Sequence, residues 1–283
     1  MTEKALRRRE LVKIAEQFTE ALIEKRPDLI PLAEKVRATY NGEEREVGDN
    51  EVWHNTLTIR ERQTFIDPVS GQFVFFGMTS NETVERNEIF PIENHFYAKN
   101  FHYTARVKVE DHRITEIEEC GADTRMRHFY ADVDEIRLPD LEFEIPIPEE
   151  ERSTREELIG IVNMYWDALD RQGDWENLPV HPDAQRFENG YRTTNHSYSV
   201  RGDFKHNPGF RWPSPRGTRE FPVVDPVRGL VVSYCMLEGG GNVRDGGRGV
   251  YIVEAFKIRD GAISHLMAHF PRLFGETGWE KKV

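Results

Sequence analysis

Cysteine is scarce. Cys120 and Cys235 are the two in 283 residues, and neither sits in a CxxC or other metal-ligand spacing. This argues against a disulfide framework and a cysteine-based zinc site, and it fits a reducing compartment. No apolar run approaches the ~18 residues that a membrane-spanning helix requires. The opening residues, Met1-Thr-Glu-Lys-Ala-Leu-Arg, carry no apolar stretch of the kind found in secretory signals. A cytoplasmic protein is therefore expected. Basic charge is also in deficit: 38 Lys and Arg against 50 Asp and Glu give a net charge of −12 and an isoelectric point near 5.4. That balance argues against nucleic acid as a partner, because phosphate backbones are bound by positive charge. The short run Arg7–Arg8–Arg9 reads as a solvated helix start. Gly239–Gly241 and Gly246–Gly249 lack the GxxxxGK[ST] pattern and precede no helix, so they read as a hairpin connection rather than a nucleotide loop. What remains is an ordinary globular composition, 38% hydrophobic and 31% charged, in a chain long enough for about two domains.

The order of elements occurs twice. Arg9–Leu22 and Arg155–Leu169 both show helical apolar spacing, through Leu11, Ile14, Ala15, Phe18 and Leu22 in one and Leu158, Ile161, Val162, Tyr165 and Leu169 in the other. Ser153 or Thr154, with Glu156 or Glu157 following, forms a capping box before the second helix. Tyr40–Asn41–Gly42 answers Glu188–Asn189–Gly190, and Asp67–Pro68–Val69–Ser70–Gly71 answers Asp225–Pro226–Val227–Arg228–Gly229. Between the halves, Asp132–Arg152 combines Pro139, Pro146 and Pro148 with many acids, which predicts an extended surface linker. The domains are accordingly 1–131 and 153–283, joined by 132–152.

The stretch Val250–Phe270 reads as two strands around a tight Asp260–Gly261 turn. Taking that turn as two residues pairs Arg259 with Ala262, Phe256 with His265, Glu254 with Met267 and Ile252 with His269. One mostly apolar face then carries Glu254 together with His265 and His269, Glu254 being diagonal to both. Such a cluster suits general acid/base work, because burial raises a carboxyl pKa and histidine titrates near neutrality. The competing reading is a solvated face or a structural ion pair. A one-residue slip in register would turn these side chains to the other face. His265 and His269, four apart on a strand, stand ~13 Å from each other at ~3.3 Å per residue, too far to grip one metal ion. Applied to the first half, the same parity puts Tyr103, Ala105 and Val107 with Glu116, Glu118 and Cys120. Ala105 takes the place of Glu254, so no equivalent cluster is expected there.

Both halves resemble the nuclear transport factor two-like superfamily and, within it, the SnoaL-like branch. The helix ending in Ala-Leu, the stretch Arg186–Phe187–Glu188–Asn189–Gly190, the segment 222–231 and the hairpin 256–264 carry this resemblance; Asp67–Gly71 and Ala105–Glu119 are their counterparts. It implies an α+β fold of two tandem cone-shaped domains, each a strongly bent antiparallel sheet wrapped around about three helices. It also implies an intramolecular pseudo-dimer paired through the outer sheet faces, with room for a further homo-oligomer. Lyases, isomerases and dehydratases acting on hydrophobic ring compounds occur in this superfamily, commonly without a cofactor, as do non-catalytic binding modules. Fold alone does not choose between them. The expectation is a cofactor-free acid/base enzyme for a small hydrophobic, aromatic or polycyclic compound, with no metal. Glu254, His265 and His269 are its catalytic candidates. Tyr191 and Trp212 in the second half, and Tyr40, His95 and Tyr97 in the first, are candidate substrate contacts. A small-molecule binding or assembly protein is the alternative.

Overall fold

In a computed structural model, the described residues are 3–81, 100–123, 138–169, 175–195, 214–215, 219–238 and 250–270. The chain is a mixed α+β protein with two sheets and few helices, and it divides into compact units Met1–Arg127 and His128–Val283.

The first unit begins with helix α1 (Glu3–Glu24). Its strands are β1 (Leu32–Tyr40), β2 (Glu43–Glu44), β3 (Thr58–Asp67), β4 (Gln72–Ser80), β5 (Asn100–Glu110) and β6 (Arg113–Asp123), with a short helix α2 (Glu51–Asn55) between β2 and β3. They form one sheet in the order β2-β1-β6-β5-β4-β3. The apolar stripe of α1, with Leu11, Ile14, Ala15, Phe18, Ala21 and Leu22 buried, closes a core against Phe73, Phe75, Tyr103, Ala105, Val107 and Ile117 on the inner face. Helical spacing on one side and strand alternation on the other produce this two-layer arrangement.

The second unit has α3 (Arg155–Ala168), β7 (Val180–Glu188), β8 (Tyr191–Arg192), β9 (Ser214–Pro215), β10 (Glu220–Asp225), β11 (Leu230–Glu238), β12 (Val250–Arg259) and β13 (Ala262–His269). Its main sheet runs β10-β11-β12-β13-β7-β8, the first unit's order read from the other edge, while β9 pairs with β11. Thr154 caps α3: its hydroxyl accepts from the Glu157 amide, and the Glu157 carboxylate accepts from the Thr154 amide. Leu158, Val162, Tyr165 and Trp166 of α3, with Leu169 at its C-terminal cap, pack on Val231, Phe256, Ile258, Ile263 and Leu266.

The two x-Asn-Gly motifs do the same work. Asn41 and Asn189 adopt φ values of 50° and 47°, followed by Gly42 and Gly190 at 82° and 83°, so each pair makes the tight turn out of the parallel strand. Each Asn side chain then brackets the neighbouring strand end. Asn41 Nδ2 donates to the Gly121 carbonyl (3.0 Å) and its Oδ1 accepts from the Gly121 amide (2.9 Å). Asn189 does the same with Phe270, at 3.2 and 3.1 Å. Glycine ends the Asp-Pro turns for a steric reason. Gly229 sits at φ 57°, and a Cβ there would lie 2.1 Å from the Ile258 carbonyl oxygen.

Two expectations need correction. The hairpin turn has two residues as read, with Asp260 and Gly261 both at positive φ and Arg259 opposite Ala262. A bulge at Ser264 follows it, so Lys257 pairs with His265, Phe256 with Leu266, Glu254 with Ala268 and Val253 with His269. A bulge adds one residue to one strand and reverses the facing of everything beyond it. Thr115 makes the same bulge in the first unit, where Lys108 pairs with Glu116 and Ala105 with Glu119. Glu116, Glu118 and Cys120 therefore leave the inner face, and Ile117 and Glu119 take it.

The described part of the linker, 138–152, is also not an extended surface strand. It makes two 3-10 turns, Leu141–Phe143 and Glu149–Glu151, and docks on the outer face of the second sheet. Phe143 and Ile147 are buried there, and the Ile147 amide donates to the Val227 carbonyl (2.8 Å).

Candidate acid/base site on the inner face of the second sheet

Across the second sheet, Ser233, Glu254, Ala268 and Glu188 form one row of paired residues, all on the inner face. Glu254 and Glu188 are both fully buried, separated by the single methyl of Ala268. Arg186, two residues before Glu188 and on the same face, is 1% exposed, and its Nε stands 3.0 Å from Glu188 Oε1. Thr193 Oγ1 donates to that same Glu188 oxygen at 3.3 Å. Tyr165 of α3 reaches across the core, and its hydroxyl donates to Glu254 Oε1 at 3.2 Å. Glu254 Oε2 accepts no hydrogen bond among the described residues. The surroundings are aromatic: Tyr165 lies edge-on to Phe256, Trp166 and Trp175 at 5.0, 5.1 and 6.2 Å.

The electrostatics follow from one cation shared among several acids. Burial pushes the Glu254 carboxyl up to about 8, and the Glu188 charge adds to that; Arg186 and the Tyr165 hydroxyl oppose the shift without overcoming it. Near neutral pH, Glu254 is a carboxylic acid, able to donate a proton. Tyr165 is pushed well above the ordinary tyrosine range, chiefly by burial, and so stays a phenol. Burial works against the Arg186 charge, but Tyr165, Glu188 and Glu254 outweigh it and move its pKa upward.

The expected Glu254–His265–His269 cluster does not form. The Ser264 bulge sends both histidines to the outer face, while Glu254 stays on the inner one. There His265 Nε2 meets Asp140 Oδ2 at 2.6 Å, and its ring lies 5.2 Å from both Phe143 and Phe187. His265 thus anchors the linker. Lys257, its partner across the strands, donates to the Ile145 and Arg228 carbonyls, and burial pushes its amine down to about 8. His269, paired with Val253, is 3% exposed on that outer face. Tyr191 follows the Asn-Gly turn opposite Glu188 in the strand pairing. Trp212, His95 and Tyr97 lie outside the described residues.

Tyr40 is buried on the inner face of the first unit, paired with Glu119. Glu119 was not anticipated. It accepts from Trp53 Nε1 (2.7 Å), Asn50 Nδ2 (3.0 Å) and the Tyr103 hydroxyl, so both of its oxygens are engaged. Burial raises its pKa, against the pull of those three donors. Arg186 and Glu188 were likewise missed, though both lie in a stretch singled out for its resemblance. Strict alternation along Ala184, Arg186 and Glu188 in an inward-facing strand was the available signal.

Among the described residues, no group of three or more His, Cys, Asp or Glu is placed to hold a metal ion. No helix among them is long and apolar enough to cross a membrane.

Residues 151–270 match a family described as a domain of unknown function, DUF8021. No curated protein matches the chain. Among solved structures, the chain is similar to an NTF-2 like protein of unknown function from Burkholderia xenovorans LB400. The identity is 20%, covering 44% of this chain and 90% of that one, with a TM-score of 0.28.

Proposed function

We propose that the second unit is a cofactor-independent acid/base enzyme, of lyase, isomerase or dehydratase type, with Glu254 as its general acid. The observation that carries this reading is a fully buried carboxyl with one oxygen accepting no hydrogen bond among the described residues, held protonated near neutrality beside the Arg186–Glu188 pair. A group whose pKa lies near the working pH gives the most effective proton transfer. The aromatic and aliphatic side chains around it suit a small hydrophobic, ring-containing compound bearing a carbonyl or hydroxyl for Glu254 to engage. The resemblance of both halves to SnoaL-like domains supports this class of chemistry. We take the two units as tandem copies of one such domain, supported by their equal strand order, bulges and Asn-Gly turns. A second reading, a binding protein without turnover, is favoured by the complete burial of Glu254 and Glu188.

The test is a thermal-shift screen of the whole protein against ring-containing hydrophobic compounds, repeated on Glu254→Gln. A ligand at 100 times its Kd adds ~2.7 kcal/mol, an easily measured shift. Compounds that stabilise the native protein are then assayed for conversion. The enzyme reading expects product from the native protein and none from Glu254→Gln. Tight binding without product establishes the second reading. Full turnover by Glu254→Gln removes Glu254 from the reaction.

A further inference from the structure

We infer that Glu188 is the second catalytic residue, the carboxylate base that works opposite the Glu254 acid, with Arg186 as its positioning residue. This rests on the acid/base reading above and narrows it. The geometry comes from the strand row: Glu254, Ala268 and Glu188 are consecutive partners across three strands, and all face inward. Two strand spacings of ~4.8 Å put the two backbones ~9.6 Å apart. Ala268 between them has only a methyl group, so no longer side chain stands between the two carboxyl groups in that row. Arg186 Nε stands 3.0 Å from Glu188 Oε1, and Thr193 Oγ1 donates to the same oxygen. Glu254 has neither contact; it has the Tyr165 hydroxyl on one oxygen and no partner among the described residues on the other. One carboxyl thus has a cation and a hydroxyl against it and the other has a phenol alone, the kind of asymmetry that paired acid and base groups need.

The substrate class follows. A compound lying across Ala268 presents a C–H beside a carbonyl to Glu188 and a hydroxyl on the next carbon to Glu254. Glu188 removes the C–H proton, and that electron pair forms the C=C bond. The C–O bond breaks, and the hydroxyl leaves as water with the proton of Glu254. The pair is left with the proton on Glu188 and the charge on Glu254. Return of one proton from Glu188 to Glu254 restores it, and no outside reductant or oxidant enters. The reverse direction is hydration of an enone.

The test uses full-length protein with 13C-labelled glutamate carboxyls, titrated by NMR as native protein, Glu254→Gln, Glu188→Gln and Thr193→Val. In the native protein one carboxyl titrates near 8 and disappears in Glu254→Gln. In Glu188→Gln, that midpoint falls, because the neighbouring negative charge is gone. Thr193→Val keeps the Glu188 carboxyl and removes its hydroxyl donor; its turnover of a compound found by the screen falls with KM unchanged, which gives a reading if Glu188→Gln does not fold. An unchanged Glu254 midpoint in Glu188→Gln, or full turnover by Thr193→Val, overturns the paired roles and leaves Glu254 as a lone acid. Absence of any carboxyl titrating near 8 overturns the acid reading itself.

Discussion

Each unit places one glutamate and one alanine in the same cross-strand pair, but on opposite strands. In the first unit Ala105 faces Glu119; in the second, Glu254 faces Ala268. The carboxyls occupy corresponding places in sheets of equal order, and burial raises the pKa of both. Their neighbours differ. Glu119 receives three donors, from Trp53, Asn50 and Tyr103. Among the described residues, Glu254 receives one, from Tyr165, and faces a second carboxylate. The phenol itself has changed element: Tyr165 stands on the helix where the first unit has Phe18, and Tyr103 stands on the strand where the second has Ile252. A buried carboxyl surrounded by donors is a structural tie, whereas one left partly unsatisfied beside a like charge is poised to exchange a proton. On the proposed reading, the number of donors rather than position in the fold sets which carboxyl reacts.

Four substitutions sharpen or break this contrast. The largest effect is expected on turnover. Glu254→Gln should lower it by ~100-fold or more, in line with loss of a general acid, while Glu119→Gln should leave kcat within about twofold once the fold is intact; an assay of both on a compound found by the screen decides. Next comes stability. Glu119→Gln turns an amide nitrogen toward groups that themselves donate, and each donor left unpaired costs ~1–3 kcal/mol. Denaturant unfolding should show the first unit weakened by that amount. Third, Tyr165→Phe gives the second unit the ring of the first. It removes the Tyr165 donor to Glu254, so the carboxyl pKa rises further and the alkaline limb of any pH–rate profile moves up; no movement would separate Tyr165 from Glu254. The smallest effect belongs to the outer face. Asp140→Asn weakens the pair with His265 that tethers the linker, at ~1 kcal/mol because Asp140 remains partly exposed, with turnover unchanged.

Much of this was legible in the chain. The duplicated helices, the Asn-Gly and Asp-Pro turns and the two-residue Asp260–Gly261 hairpin all formed where local chemistry placed them, because each depends on a short stretch of backbone preference. The site was less legible. Glu254 was read on an apolar inward face, where it lies. The histidines were carried to the wrong face by a single bulge residue, and alternation alone cannot register an inserted residue. A trace of it was present: Ile114 and Ile117, like Ile263 and Leu266, are three apart, and both members of each pair are core. Three-residue spacing in a strand marks a bulge, and its occurrence at matching places in both halves doubles the signal. Arg186 and Glu188 escaped because they come from a strand distant in sequence, joined to β13 by a parallel pairing that no local pattern specifies. Docking of the linker was hidden for the same reason.

Glu254 can serve as the acid only if it is neutral in the folded protein. The sign of the linkage is fixed: its folded pKa, about 8, lies above the ordinary 4.5. Its contribution to stability is therefore complete below about pH 4.5 and is lost as pH rises through 8. Glutamine cannot ionise and escapes that loss. The decisive measurement is the unfolding free energy of the second unit's transition, native against Glu254→Gln, from pH 5 to 9.5. The expected result is near equality at pH 5, an advantage for Glu254→Gln that grows up to about pH 8, and a plateau above it. A difference that stays constant across the range would mean that Glu254 is ionised throughout, and the carboxylic acid at the centre of this reading would not exist.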